Sequence, residues 1–163
     1  MMLWTLALPM LLATSPPPET GWHQIAAGLP VVEVDLTEST ECFPFLVDRT
    51  NAYYCDKDRA IYLGSKYAAT NGTALFMVFH ELGHAQYDHT SQWFEPQFIK
   101  EQRADCVAGQ YMREHPWVTE KDREDARALL RSQQPSESHG TAQERLAAFD
   151  GDRGVCPAQR EET

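Results

Sequence analysis

Short apolar segments predict several strands in the first half of the chain. Four of them cover residues 31–36, 43–47, 52–55 and 59–63. The last two alternate bulky and polar residues, which is typical of strands that bury one face of a sheet. Because only a polar turn, Asp56-Lys57-Asp58, separates these two segments, we expect them to form a hairpin within a small antiparallel sheet.

The pattern becomes helical after residue 70. The triplet Asn71-Gly72-Thr73 offers helix caps, and the residues that follow predict a helix from about residue 74 to residue 88. The first turns of this helix carry four large apolar side chains, at Leu75, Phe76, Val78 and Phe79. These side chains would cover most of the circumference of a helix, so we expect the helix to lie in the core.

Three further helices are predicted downstream. Pro96 suits the first turn of a second helix that ends near residue 114. Two capping-box patterns then open two shorter helices, Thr119 with Asp122 and Thr141 with Glu144. The predicted fold class is therefore α+β, with a small antiparallel sheet packed on a central pair of helices and two shorter C-terminal helices after it.

Length and charge narrow the possible functions. A chain of 163 residues is long enough for one hydrophobic core and short for two. Its formal net charge is −10, and it has no run of Lys or Arg of the kind that binds a phosphate backbone. We therefore expect neither nucleic acid nor an anionic membrane surface as a partner.

The N-terminal segment has the features of a secretory signal peptide. Residues 2–13 form an apolar run that is shorter than the roughly 20 residues of a membrane span, and residues 16–18 are three prolines. We expect residues 1–20 to be a signal peptide with a Pro-rich linker and residues 21–163 to be a single domain. The protein would then be secreted, periplasmic or in the cell envelope. The alternatives are an uncleaved apolar helix and a short membrane tether.

The four cysteines form an even set, which suits two disulfides in an exported protein. Sequence alone permits three pairings. We favour Cys42 with Cys55 and Cys106 with Cys156, the second of which would tie the C-terminal segment to a central helix. Four buried thiols are the alternative. No Cys-x-x-Cys spacing occurs, which argues against a zinc ribbon or a redox dithiol.

The predicted core helix contains a metal-binding pattern, His80-Glu81-Leu82-Gly83-His84. Residues four apart lie on the same face of a helix, so both imidazoles can approach one metal ion. Glu81 lies next to the first histidine and could take a proton from a water bound to that metal. The alternative, two surface histidines on an ordinary helix, fits poorly with so apolar a segment.

A catalytic zinc site has three protein ligands, so a third must come from elsewhere in the chain. Glu101 is the best candidate, because it shares one face of the second predicted helix with Asp105. Asp105 would accept a hydrogen bond from a ligating histidine and fix its tautomer. His89 is a rival ligand, although it follows His84 by five positions rather than the six of HExxHxxGxxH. The remaining alternative is an ordinary solvated helix face.

Several segments together resemble one known family. The most specific are HELGH and residues 101–109, Glu-Gln-Arg-Ala-Asp-Cys-Val-Ala-Gly. Further matching segments are residues 54–55, residues 61–63, residues 138–141, Gln143, Arg145, Phe149 and Cys156. Over residues 42–156 the chain resembles the bacterial neutral zinc metallopeptidases.

The resemblance implies a gluzincin-like zincin fold. In such a fold His80, His84 and Glu101 would bind Zn²⁺, Glu81 would be the general base and Asp105 would support the site. The chain departs from the family in its length and in the 16 residues between His84 and Glu101, which make a shorter connection than is usual there. A connection of this length leaves little room for substrate subsites.

The expected activity is zinc-dependent hydrolysis of peptide bonds in a peptide or protein, by an endopeptidase rather than an exopeptidase. An oxyanion donor is also needed, and we favour His139 over Tyr54, Tyr87 and Tyr111. The substrate is expected to pair with an exposed edge strand, residues 59–63. The alternative function is an exported, disulfide-tied zinc-binding interaction module without catalysis.

Overall fold

The structure, a computed structural model, describes residues 31–34, 52–87, 94–152 and 156. These residues form three strands, β1 (Val31–Val34), β2 (Ala52–Cys55) and β3 (Ala60–Gly64). A short 3-10 helix, Tyr67–Ala69, precedes four α-helices, α1 (Asn71–Gln86), α2 (Gln97–Glu114), α3 (Glu120–Ser132) and α4 (Ala142–Asp150). The predicted α+β class is confirmed. The predicted signal peptide and the predicted strand at residues 43–47 lie outside the described residues.

The three strands form a mixed sheet in the order β1-β3-β2. β2 and β3 are antiparallel, as predicted for the hairpin, but β1 runs parallel to β3. The prediction of an antiparallel sheet was therefore wrong for β1. A parallel pair needs a long crossover, which the chain between Val34 and Ala60 provides.

β3 is the central strand of this sheet, so the prediction that residues 59–63 form an exposed edge was also wrong. Ile61 and Leu63 of β3 are fully buried and belong to the hydrophobic core. Nearly continuous burial of this kind is typical of a strand whose two faces are both covered. Among the described strands, β1 and β2 lie at the two edges.

α1 begins three residues earlier than predicted. The hydroxyl of Thr70 accepts a hydrogen bond of 3.2 Å from the backbone N–H of Thr73, so the triplet predicted to cap the helix forms its first turn instead. The helix ends at Gln86, two residues before the predicted end. Its apolar side chains are buried as expected, with Phe76 and Phe79 fully buried. α1 is therefore the central helix of the core.

α2 packs closely against α1, and Gly83 permits the close approach. A Cβ atom at Gly83 would lie 2.8 Å from Cα of Ala104 and 3.2 Å from Cβ of Val107, which is closer than such atoms normally come. α2 ends at Glu114, as predicted, and it starts at Gln97, so that Pro96 is its N-cap rather than part of its first turn. The crossing places the histidines of α1 opposite Glu101 of α2.

Both predicted capping boxes are present, one at the start of α3 and one at the start of α4. Phe149 of α4 packs edge-on against Phe76 of α1, with ring centroids 5.6 Å apart, and so anchors α4 to the central helix. No helix within the described ranges is both long enough and apolar enough to span a membrane.

Cys106 of α2 forms a disulfide with Cys156, and their Cα atoms are 5.7 Å apart. This confirms the predicted pairing of these two cysteines and ties the segment after α4 to α2. Cys55 is also disulfide-bonded. Its predicted partner, Cys42, lies outside the described residues.

Candidate metal centre

Three side chains from two helices converge on one point. His80 and His84 lie one turn apart on α1, and their Nε2 atoms are 3.2 Å apart. Glu101 of α2 brings its Oε2 to 3.1 Å from Nε2 of His80 and 3.6 Å from Nε2 of His84. The three donor atoms form a small triangle that could hold a metal ion.

The dimensions and chemistry of this triangle fit zinc. Zn²⁺ binds imidazole nitrogen and carboxylate oxygen at about 2.0–2.2 Å, so two ligands of a tetrahedral ion lie about 3.3–3.6 Å apart. The observed separations of 3.1, 3.2 and 3.6 Å are close to this range. Two histidines and one glutamate are also a donor set that catalytic zinc sites use.

His80 lies between two carboxylates in the interior, with 3% of its surface exposed. Its Nδ1 is 2.8 Å from Oδ1 of Asp105, while its Nε2 faces Glu101. Burial alone would lower the pKa of His80, but the hydrogen bonds to Asp105 and Glu101 outweigh it and raise the pKa to about 10. Burial alone would raise the pKa of Glu101, but its hydrogen bonds with His80 and His84 lower it. In the metal-free protein, a proton on His80 therefore compensates the buried carboxylates.

Asp105 is held in turn by Arg145 of α4. The Nε and Nη2 atoms of Arg145 each donate a hydrogen bond of 2.7 Å to Asp105, and its Nη1 donates to Oε1 of Gln133. Burial alone would raise the pKa of Asp105, but the hydrogen bonds from Arg145 and His80 lower it. Asp105 is therefore ionised and can fix the orientation and the tautomer of His80.

Glu81 lies beside the triangle and lines the cavity at the site. Its Oε2 accepts a hydrogen bond of 2.7 Å from the backbone N–H of Tyr54 in β2. Burial raises the pKa of Glu81, and the neighbouring histidines and the Tyr54 N–H offset this effect only in part. A carboxylate with a fixed orientation and a raised pKa is suited to accept a proton and return it.

His139 reaches the site from the loop between α3 and α4. Its Nε2 is 3.5 Å from Oε2 of Glu101, and 46% of its side chain is exposed. Its Nδ1 lies 2.8 Å from Oγ of Ser138 and 3.2 Å from Oγ of Ser136. Burial lowers the pKa of His139, which keeps the ring neutral at pH 7. If a serine hydroxyl donates to Nδ1, the ring proton is on Nε2, the nitrogen nearer to Glu101.

A cavity of about 640 Å³ opens at the site, a volume in the range of ligand-binding pockets. His80, Glu81, His84, Glu101 and His139 all line it. The edge strand β2 contributes part of the wall, and so does the loop between α3 and α4. The cavity therefore extends from the candidate metal ligands to β2.

The three tyrosines considered as oxyanion donors and the rival ligand His89 lie in different places. Tyr54 lines the cavity, but Tyr87 and Tyr111 do not. Tyr111 instead stacks on Phe79 in the core, with ring centroids 5.1 Å apart. The rival ligand His89 lies outside the described residues.

Two contacts of the site were missed by sequence reasoning. Gln97 donates a hydrogen bond of 2.6 Å to Oε1 of Glu101, and its position four residues before Glu101 on a predicted helix was the available signal. The contact of Gln133 with Arg145 joins two different elements, and no local spacing in the sequence indicates it.

No family model, curated protein or solved structure matches this chain. The motifs and the geometry of the site therefore indicate what the protein does.

Proposed function

We propose that this protein is a zinc metallopeptidase with a gluzincin-like zincin fold. It would hydrolyse peptide bonds and belong with the bacterial neutral zinc metallopeptidases, which its motifs resemble. The observation that carries the proposal is the triangle of His80, His84 and Glu101 next to a buried carboxylate, Glu81. This arrangement would provide three metal ligands and a general base, all of which line one cavity.

His80, His84 and Glu101 would hold the ion. When bound, zinc supplies a Lewis acid that polarises the scissile carbonyl and lowers the pKa of water to about 7. Asp105 keeps the Nδ1 of His80 engaged, so that Nε2 faces the other two ligands. The site thus retains its donor geometry without help from the substrate.

Glu81 would accept a proton from the attacking water and return it to the leaving amine. The hydrogen bond from the Tyr54 N–H holds one carboxylate oxygen, which fixes the side chain beside the histidines. The raised pKa of Glu81 brings its proton affinity closer to that of the groups with which it exchanges protons.

His139 would donate a hydrogen bond from its Nε2–H to the oxyanion that develops on the substrate carbonyl. Ser138 supports this role because its hydroxyl, at 2.8 Å from Nδ1, can stabilise the tautomer with the proton on Nε2. The partial exposure of His139 leaves its ring accessible to a substrate in the cavity.

The substrate would be an extended peptide segment. We expect it to lie along the cavity wall to which β2 contributes, in place of the strand first expected to bind it. Contacts with the main chain of a peptide do not depend on the identity of its side chains, so we expect broad sequence tolerance and internal cleavage. The export expected from the N-terminal segment would place such substrates outside the cytoplasm.

The test is the substitution Glu81→Gln, which keeps the shape of the side chain and removes the base. We expect about one zinc ion per chain in both proteins, and a loss of cleavage of an unstructured protein by about 100-fold or more in the variant. Glu114→Gln, an exposed change on α2, is the matched control and should leave cleavage unaltered. A wild-type protein that binds no zinc, or an E81Q variant that cleaves at the wild-type rate, contradicts the proposal. A zinc-loaded wild type that cleaves no member of a broad peptide library supports the interaction module instead.

A further inference from the structure

The two carboxylate oxygens of Glu101 have different surroundings. Oε2 faces three imidazole nitrogens, at 3.1 Å for His80, 3.6 Å for His84 and 3.5 Å for His139. Oε1 instead accepts a hydrogen bond of 2.6 Å from Nε2 of Gln97. One oxygen thus points into the candidate metal triangle, and an amide N–H binds the other.

Gln97 owes this position to helix geometry. It is the first residue of α2 and lies four residues before Glu101, so both side chains are on the same face of the helix. Gln97 is exposed and also lines the cavity. A short hydrogen bond from an amide to an ionised carboxylate is stronger than one between neutral groups.

We propose that Gln97 is a positioning residue that makes Glu101 a one-oxygen ligand. This inference rests on the proposed zinc site. A carboxylate can bind a metal through one oxygen or through both, and a second bound oxygen would take the coordination position that a catalytic zinc keeps for water. By binding Oε1, Gln97 holds that oxygen away and preserves the open position.

Two variants remove the hydrogen bond in different ways. Gln97→Ala shortens the side chain, while Gln97→Met keeps its length and helix propensity and lacks the N–H donor. The chain offers a matched control on the same helix, because Gln110 donates a hydrogen bond of 2.9 Å to Glu114 with the same spacing of four residues. Gln110→Ala removes an equivalent bond away from the candidate metal ligands.

The direct measurement is zinc X-ray absorption on the loaded protein, combined with zinc affinity and peptide cleavage. In Q97A and Q97M we expect the spectrum to show an additional oxygen neighbour, zinc affinity to fall by about tenfold, and kcat to fall more than KM changes. Q110A should match the wild type in every measurement. Circular dichroism and thermal melting of Q97M, which resembles wild type in size, check that the fold is retained.

The possible results distinguish failure of the Gln97 inference from failure of the proposed function. Wild-type spectra, affinity and kcat in both Gln97 variants overturn the inference while leaving the zinc site intact. A zinc-loaded wild type without peptidase activity overturns the proposed function, but the absorption comparison still decides the role of Gln97. A wild-type protein that binds no zinc overturns both.

Discussion

Arg145 binds Asp105 through two hydrogen bonds of 2.7 Å, from Nε to Oδ2 and from Nη2 to Oδ1. The Oδ1 atom also lies 2.8 Å from Nδ1 of His80. This pair therefore connects α4, through α2, to the first histidine of the motif on α1. Arg145 is 4% exposed and Asp105 is fully buried, so water screens the contact little.

Removal of Arg145 should destabilise the fold. The substitution Arg145→Gln leaves the Asp105 carboxylate buried without its cation, and breaking a buried ion pair in this way costs about 3–5 kcal/mol. Urea denaturation of the metal-free protein measures this loss. Arg131→Gln is the control, because Arg131 pairs with Glu124 at an exposed position and should contribute less than about 1 kcal/mol. Equal stabilities of R145Q and R131Q would show that the buried pair does not stabilise the fold.

The stability of the metal-free protein should fall as the pH rises above 7. His80 has a pKa of about 10 in the folded protein, above its ordinary value of 6.5, because hydrogen bonds to two carboxylates outweigh burial. A raised pKa gives stability that is complete below pH 6.5 and is lost as the pH approaches and passes 10. Denaturation in the presence of a chelator between pH 6.5 and pH 10 measures the slope.

The variant His80→Gln isolates this contribution, since other groups also titrate in the alkaline range. Its stability should depend less steeply on pH than that of the wild type over the same window. Parallel curves for the two proteins would mean that His80 is not protonated in the metal-free fold.

Loss of the His139 ring should reduce cleavage without loss of zinc. In His139→Ala, the Nε2 proton that would stabilise the oxyanion is missing, and removal of such a donor typically costs about 100-fold to 1000-fold in kcat. Ser138→Ala should have a smaller effect in the same direction, because the hydroxyl only selects the tautomer of His139. Glu137→Ala, an exposed neighbour in the same loop, serves as the control. If H139A cleaves as fast as E137A, another group stabilises the oxyanion.

The Cys106–Cys156 disulfide should contribute about 2–4 kcal/mol to the free energy of unfolding, since it closes a loop with a sequence separation of 50 residues. Cys106→Ser and Cys156→Ser each remove the same cross-link. Both single variants and the double variant should therefore lose similar stability in urea. A double variant as stable as the wild type would indicate that packing alone holds the segment after α4 in place.

Local chemistry explains which parts of the structure were predictable. The two histidines lie four residues apart on one helix, and so do Glu101 and Asp105, so their faces follow from helix geometry alone. The capping boxes at Thr119 and Thr141 are likewise short-range patterns. The start of α1 was missed because Thr70, one residue before the expected caps, makes the capping hydrogen bond.

The remaining features depend on contacts between distant segments. The parallel pairing of β1 with β3 is determined by how the chain crosses over, which the alternation of side chains does not encode. The pattern of residues 59–63 likewise predicts a strand, but it does not distinguish a central strand from an edge strand. The neighbours of β3 come from other parts of the chain. The contact of Gln133 with Arg145 also forms only when two separate elements pack together.

Gly83 gives the HELGH segment a second function besides supplying ligands. Any side chain at this position would clash with Ala104, because its Cβ would lie 2.8 Å from the Cα of Ala104. Such a side chain would push α2 away from α1 and lengthen the distances from Glu101 to both imidazoles, even though every donor atom remained in the sequence. The motif therefore encodes the spacing of the two helices as well as the identity of the ligands, and a bulkier residue at this position would preserve the pattern but widen the triangle.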